Sequence, residues 1–333
     1  MWFTSDKFLR THCFLTVFSH DMATIEEILH SAKGVIHALF FLFILLPYFI
    51  IEAIFSSNPQ RKSVEGQLVL ITGTGHGIGK LLAFKYAKAG ARVIGWDVNE
   101  KLNNETIQTI NSSGYTTAYG FKVDVSNRQE VMDTAKKIQQ DIGDVTILIN
   151  NAGIMPHHSF LDHTEQEIRR IMDINVMGNF WTLQAFLPKM KENNNGHIVS
   201  LSSMAGYVGL INLVPYNASK FAVRGLMEGL YEEFRRHPNN NVNFTTVYPF
   251  MTDTGLCKNY DITYELLFPL LKPAFVADAI FEAQSTNRRN VLLPADIGLA
   301  VKLKTRFLPQ KACNYISDNF RADLLSDIHL NNT

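Results

Sequence analysis

The chain has 333 residues, 46% of them apolar and 19% charged, which excludes general disorder and supplies enough apolar material for a sizeable core. Lys plus Arg and Asp plus Glu number 31 each, so the net charge is zero and a nucleic-acid partner is not expected. Cys13, Cys257 and Cys313 are too scattered for a disulfide framework or a zinc site, which points to a reducing, cytosol-facing setting and to no metal.

Residues 1–34 read as an N-terminal extension. Residues 35–55, VIHALFFLFILLPYFIIEAIF, hold 15 Leu, Ile, Val or Phe among 21 positions, with one acid, Glu52, near the end. About 20 such residues at 1.5 Å rise suffice to cross a hydrocarbon core of about 30 Å, so a hydrophobic membrane-anchoring helix is predicted here. Pro47 removes a backbone donor and kinks a helix, which leaves a straight span and a hairpin in one leaflet both open. Arg61 and Lys62 follow the run closely and only Lys33 precedes it closely, a bias that puts the bulk of the chain on the cytosolic side. The expected location is the endoplasmic reticulum membrane, a lipid-droplet surface, or both. Residues 56–65, beginning SSNPQRK, have the polar, proline-containing character of a linker.

From 66 to 293 short apolar runs alternate with amphipathic stretches. Strands are predicted at 67–72, 91–97, 145–150, 196–203 and 242–248, with a weaker one at 116–124, and helices near 77–89, 100–112, 127–141, 164–191 and 215–236. The first five strands are apolar on both faces, as buried parallel strands are. Strand–helix alternation of this length implies an α/β fold, a Rossmann-type doubly wound parallel sheet.

Directly after the first predicted strand, and opening the first helix, runs Thr72-Gly73-Thr74-Gly75-His76-Gly77-Ile78-Gly79. A glycine-rich turn there lets backbone N–H groups approach a pyrophosphate, and the helix N-terminus adds positive potential. Asp97 ends the second strand, where an acid accepts hydrogen bonds from ribose hydroxyls and repels a 2′-phosphate. NAD is therefore favoured as cofactor, while His76 and Lys80 leave room for NADP. Gly73, Gly75, Gly77, Ile78, Gly79 and Asp97 form the first part of the expected cofactor set. Asp124, ending the third strand, is placed to meet the adenine with its neighbour Val125, or else caps the next helix, a role for which Ser126 competes.

Further along stand Asn150-Asn151-Ala152-Gly153, Ser203, and Tyr216-Asn217-Ala218-Ser219-Lys220. With the glycine-rich loop, their order and spacing over roughly residues 64–255 resemble the signature set of the short-chain dehydrogenase/reductase family. VLITGTGHGIG, WDVN around Asp97, GDVTILINNAGI and the Phe-rich segment upstream are similar to the membrane-anchored epidermal retinol dehydrogenase and 17-beta-hydroxysteroid dehydrogenase-like branch. That resemblance implies an NAD(P)-dependent oxidoreductase acting on the CH–OH group of a lipophilic alcohol of retinol, steroid or long-chain type. It also implies a homodimer through the 164–191 and 215–236 helices. An NADPH-dependent carbonyl reductase on the same scaffold, or a non-catalytic surface protein keeping the nucleotide fold, are the alternatives.

The residue chemistry runs parallel to the resemblance. Tyr216 and Lys220, at i and i+4, share one helix face. A free phenol titrates near 10, and a nearby ammonium favours the phenolate, so Tyr216 is the candidate acid/base. Ser203, 13 residues earlier at a strand end, would hydrogen-bond the substrate oxygen, with Ser202 the fallback. Lys220 would also bond the nicotinamide ribose. Asn175 matches the family's asparagine that supports a water-linked proton path to the lysine. Asn151, Ala152 and Gly153 would back the cofactor, and Thr252 would touch its carboxamide or phosphates. Phe250 replaces the family's usual glycine after Pro249. Residues 255–275 read as an apolar lid, with Met155, Phe250 and Met251 lining the substrate pocket. Within the 294–333 tail, residues 294–309 mix apolar and basic residues and could touch a membrane surface.

Overall fold

The computed structural model describes residues 39–47, 61–257, 259–266 and 268–327. Of the predicted membrane segment only 39–47 lies among them. It is helical, with a π-helical turn over Phe41–Leu45, and Leu39, Phe40, Phe43, Ile44 and Leu46 are exposed. The rest of 35–55, the whole of the 1–34 extension and residues 56–60 of the linker lie outside the described residues. Among those described, no helix is long and apolar enough to cross a membrane. Residues 61–333 form a compact unit distinct from 1–60.

That unit is built on a seven-stranded, all-parallel sheet. Its strands in chain order are β1 (Leu68–Thr72), β2 (Arg92–Asp97), β3 (Ala118–Lys122), β4 (Ile147–Asn150), β5 (Gly196–Leu201), β6 (Val242–Pro249) and, after a separate short strand β7 (Tyr260–Ile262), β8 (Asn290–Leu293). The spatial order is β3-β2-β1-β4-β5-β6-β8. The order in which strands are added reverses between β1 and β4, and in such sheets the ligand crevice lies beyond the strand C-termini at that switch point. β1, β4 and β5 are buried along their whole length, which is why they read as unbroken apolar runs. β3 closes one edge and is half-exposed, which explains its weaker pattern.

Helices cover both faces. α1 (Gly77–Lys88), α2 (Glu100–Ser113) and, late in the chain, the helix Pro273–Ser285 pack on one side through Leu82, Tyr86, Ile107, Ile110, Val276 and Ile280. On the other side lie α3 (Arg128–Asp141), α5 (Gly178–Glu192, following α4 at Glu165–Met172) and α6 (Val214–Phe234), through Val131, Ile138, Leu183, Phe186, Met227 and Phe234. The helix expected at 164–191 is α4 and α5 joined by a π-helical turn, Asp173–Met177. Gly90 follows α1 at φ 84°, the left-handed stop its position implies.

β8, the helix Pro273–Ser285 (α7), α8 (Ala295–Phe307) and α9 (Gln310–Asn319) extend past the predicted elements. The chain then returns: β9 (Ala322–Leu324) pairs antiparallel with β7, Leu324 opposite Tyr260. The C-terminal segment thus packs against the 255–275 stretch.

Candidate active site

The glycine-rich loop is held from several directions. Gly73 N donates to Trp96 O at 2.7 Å and Gly75 N to Asp97 Oδ2 at 2.8 Å, so the end of β2 braces the turn. Gly73 and Gly77 sit at φ 76° and 58°, where a side chain is strained. A Cβ on Gly79 would fall 2.0 Å from Gly73 O, so only glycine lets α1 start this close to the loop. The Asn151 side chain donates to Thr72 O at 2.9 Å, and Asn151 N and Ala152 N both donate to Thr72 Oγ1 at 3.0 Å. The NNAG segment is thereby fastened to the glycine loop, and the Asn151 amide is spent on that fastening.

One cavity of about 280 Å³ opens at the strand C-termini. At one end it is lined by Gly73, Gly77, Ile78, Asp97, Asp124 and Val125, and in the middle by Asn151, Ala152, Gly153, Ser203, Tyr216 and Lys220. Met155, Phe250, Met251 and Thr252 line the other end. Gly75, Gly79 and Asn175 are not on the wall and act from behind it. Asp97 is buried, with Oδ1 accepting from Asn99 N at 2.8 Å. Asp124 accepts from Ser126 N and Oγ, and the cap of α3 is Asn127, whose side chain accepts from Gln129 N and Glu130 N. Neither Asp124 nor Ser126 fills the capping role, because the turn they form shifts the helix start by one residue.

Ser202 Oγ donates to Lys220 O at 2.8 Å, and Ser200 is fully buried in β5. Ser202 and Ser203 both line the cavity with Tyr216, but the Ser202 hydroxyl is committed to Lys220 O, whereas Ser203 Oγ has Pro249 O at 3.3 Å and accepts from Ala205 N at 3.2 Å. Lys220 Nζ donates to Leu201 O at 2.9 Å and lies 5.4 Å from the centroid of the Tyr216 ring. Burial lowers the Lys220 ammonium to about 8. Burial also pushes the Tyr216 phenol up, the adjacent Cys257 thiol acts in the same direction, and a hydrogen-bond interaction with Ser203 pulls the other way. The expected lysine-driven lowering of Tyr216 is not seen: burial dominates, and Lys220 is not among the groups that move the phenol.

Asn175 lies in the π turn, fully buried. Its Nδ2 donates to Ile154 O and Ser219 Oγ, each at 3.0 Å, and its Oδ1 accepts from Ile154 N at 2.9 Å. A single residue thus ties the NNAG loop to α6, and a Cβ on Gly153 would meet Asn175 Oδ1 at 3.2 Å and Lys220 Nζ at 3.6 Å. The wider π turn presents this amide inward at a bend in the helix run.

Several wall residues carry no linear signal. Arg170 and Ile174 come from α4 and the π turn, Leu213 from the start of α6, Cys257 from the lid, and Leu324 from β9. Met155, Leu213, Met251 and Leu324 form one buried apolar cluster. Asn212 Nδ2 donates to Leu324 O at 2.8 Å and holds the returning strand in place.

A family model described as short chain dehydrogenase matches residues 67–265. The chain is 38% identical to short-chain dehydrogenase/reductase family 16C member 6 of Bos taurus, over 77% of this chain and 82% of that protein. It is 34% identical to human 17-beta-hydroxysteroid dehydrogenase 13 over 84% and 92%, and 37% identical to mouse epidermal retinol dehydrogenase 2 over 78% and 84%. Among solved structures, a short chain dehydrogenase/reductase from Burkholderia phymatum in complex with NAD superposes with a TM-score of 0.66 at 28% identity, covering 73% of this chain and 94% of that one. On the matched span, the sheet order and these relatives, the chain belongs to the short-chain dehydrogenase/reductase family and is an oxidoreductase of that family.

Proposed function

We propose that the protein interconverts a hydroxyl and a carbonyl group on a lipophilic substrate, with NAD as the favoured partner. The observation that carries this is the sharing of one cavity by Ser203, Tyr216 and Lys220 with the glycine loop and Asp97. The fit to a dinucleotide rests on side-chain-free backbone at Gly73 and Gly77, the α1 N-terminus behind it, and a buried carboxylate at Asp97 facing the cavity. When bound, the nicotinamide would accept or return hydride at the substrate carbon. Ser203 would hold the substrate oxygen, and Tyr216 Oη would take its proton in oxidation and return it in reduction. Lys220, its charge confined beside the phenol ring, would favour the phenolate and reach the ribose. Asn175 would keep Lys220 and the NNAG loop in register. Thr252, at the far wall, would meet the carboxamide side.

The substrate class follows from the other end, where Met155, Leu213, Phe250, Met251, Leu256 and Leu324 offer almost only apolar surface. The names of the human and mouse relatives, a hydroxysteroid and a retinol dehydrogenase, favour the same class. The apolar run 35–55 would keep the enzyme where such substrates dissolve, on the cytosolic face of the endoplasmic reticulum or on a lipid droplet. In α8, Leu299, Leu303, Phe307 and the adjoining Leu308 are exposed beside Lys302, Lys304 and Arg306, a composition suited to a second contact with a lipid surface. Exposed Phe180 on α5 and Phe221 on α6 favour these helices as a homodimer face.

The deciding experiment is a turnover screen of retinoids, steroids and fatty alcohols with NAD and NADP in parallel, run on wild type and Tyr216→Phe. The variant is expected to lose about 10²- to 10⁴-fold in kcat while keeping its NAD affinity; unchanged turnover would remove Tyr216 as the proton carrier. In the same screen Asp97→Ala should move the NAD-to-NADP ratio towards NADP, and an unmoved ratio would refute its discriminating role. Deleting 35–55 should shift the protein from the membrane pellet to the soluble fraction; a protein that stays in the pellet would assign anchoring to α8.

A further inference from the structure

Beside the cavity, and outside everything assigned above, four side chains meet: His158, His163, Glu167 on α4, and Asp327 beyond β9. His158, His163 and Glu167 each bring one ligand-capable atom within 4.8 Å of the others. His158 Nδ1 lies 2.9 Å from Asp327 Oδ1. A carboxylate only accepts, so Nδ1 carries a proton and Nε2 is the nitrogen left to face a ligand. Nε2 faces Glu167 Oε2 at 3.4 Å and has no hydrogen-bond partner. His163 places Nδ1 3.9 Å from the same oxygen; its side chain is fully buried and neither ring nitrogen is hydrogen-bonded. Unpartnered imidazole nitrogens facing a carboxylate oxygen at this range suit a shared cation.

We propose that His158 Nε2, His163 and Glu167 form a binding site for a divalent transition ion of the zinc type, with Asp327 as the outer carboxylate that fixes the His158 tautomer. Two imidazoles and a carboxylate are a donor set for zinc. Ligand atoms about 2.0–2.1 Å from a tetrahedral ion stand about 3.3 Å apart, close to the His158–Glu167 separation. The outer shell is already assembled. Glu167 Oε2 is held by Thr164 N at 2.9 Å and Thr164 Oγ1 at 3.1 Å, and Asp327 is held by His157 N at 3.2 Å. Glu167 is more than a third exposed, which gives an ion its way in. Each protein segment that meets here also lines the cavity: the 153–158 stretch through Met155, α4 through Arg170, and the C-terminal return through Leu324. The ion would be structural, a pin holding three walls of the substrate end together.

The test uses untagged, full-length protein stripped with a chelator. Titrated with Zn²⁺, it should bind one equivalent with submicromolar affinity, and Mg²⁺ should not compete. Co²⁺ should give the intense visible bands of a tetrahedral nitrogen–oxygen site. His163→Phe keeps the ring stacked on His158, whose centroid is 3.8 Å away, and removes no hydrogen bond. It should lower zinc affinity at least about 100-fold without lowering the metal-free melting temperature. Glu167→Gln keeps the α4 cap and should act likewise, and Asp327→Asn should weaken zinc by about 10- to 100-fold. Absence of zinc binding by the wild type, or equal binding by His163→Phe, would assign the space between His158 and Glu167 to a proton alone and overturn the site.

Discussion

The nucleotide end and the substrate end of the cavity are built by opposite strategies. At the nucleotide end, β1, the glycine loop and α1 are consecutive in the chain, and the contacts that hold them come from strand ends adjacent in the sheet: Trp96 O, Asp97 and Asn151. At the substrate end, the apolar cluster is collected from Met155, Leu213, Met251 and Leu324, and the last arrives only because β9 crosses back to pair with β7. The first end is dictated by backbone geometry that glycine alone permits. The second depends on a three-residue strand pair, and its shape can change without disturbing the sheet. A fold that keeps its nucleotide end rigid and its substrate end replaceable can take new substrates at small cost to stability.

Lys220 lies on the seam between the two ends, so replacing it puts the sharpest strain on that comparison. Its ammonium is buried and lowered to about 8, whereas in the unfolded chain it titrates near 10.5. Below pH 8 both states are protonated and the folded protein bears the whole cost of the buried charge, roughly 3 kcal/mol. Between 8 and 10.5 the unfolded chain binds the extra proton, so wild-type stability rises with pH. Lys220→Met removes that cost and leaves Leu201 O without its donor, a loss of about 1 kcal/mol. The variant is expected to lose turnover by about 10³-fold yet to gain about 2 kcal/mol at pH 7 by denaturant unfolding, with the gain gone by pH 10.5. A variant destabilised at pH 7, or a gain that does not shrink with pH, would show that the ammonium is not a stored cost.

The same contrast explains what the sequence makes legible. The sheet order through β6, the glycine loop, Asp97, NNAG, Ser203 and the Tyr216–Lys220 pair are continuous motifs, each sitting where a strand meets a helix or loop, so pattern and period expose them. β8 has only four residues, and β7 and β9 three each; strands that short show no period, and their pairing is decided by contacts across the whole C-terminal third. The π turn at Asp173–Met177 is invisible for another reason: its residues suit an α-helix, and the wider turn follows from the bonds Asn175 makes to Ile154 and Ser219. The capping of α3 by Asn127, one residue past Ser126, turns on a local bend that composition does not encode. The dominance of burial at Tyr216 is likewise unreadable, since desolvation depends on packing and not on spacing.

A smaller and more selective effect is expected from Leu324→Ala. Leu324 is 4% exposed, on a strand that touches the rest of the unit through β7, Asn212 and the apolar cluster. Truncation enlarges the pocket where Met155, Leu213 and Met251 converge, costing about 2 kcal/mol of local packing. Because this cluster and the apolar side chains packed against it include none from the glycine loop or β2, NAD affinity should stay within about twofold. The KM of a lipophilic alcohol should rise about tenfold, with kcat little changed, since uniform binding is what is lost. Parallel titrations of NAD and substrate on this variant separate the two ends directly. If both constants shift by the same factor, the two ends are one mechanical unit, and the returning strand is part of the nucleotide site as much as of the substrate wall.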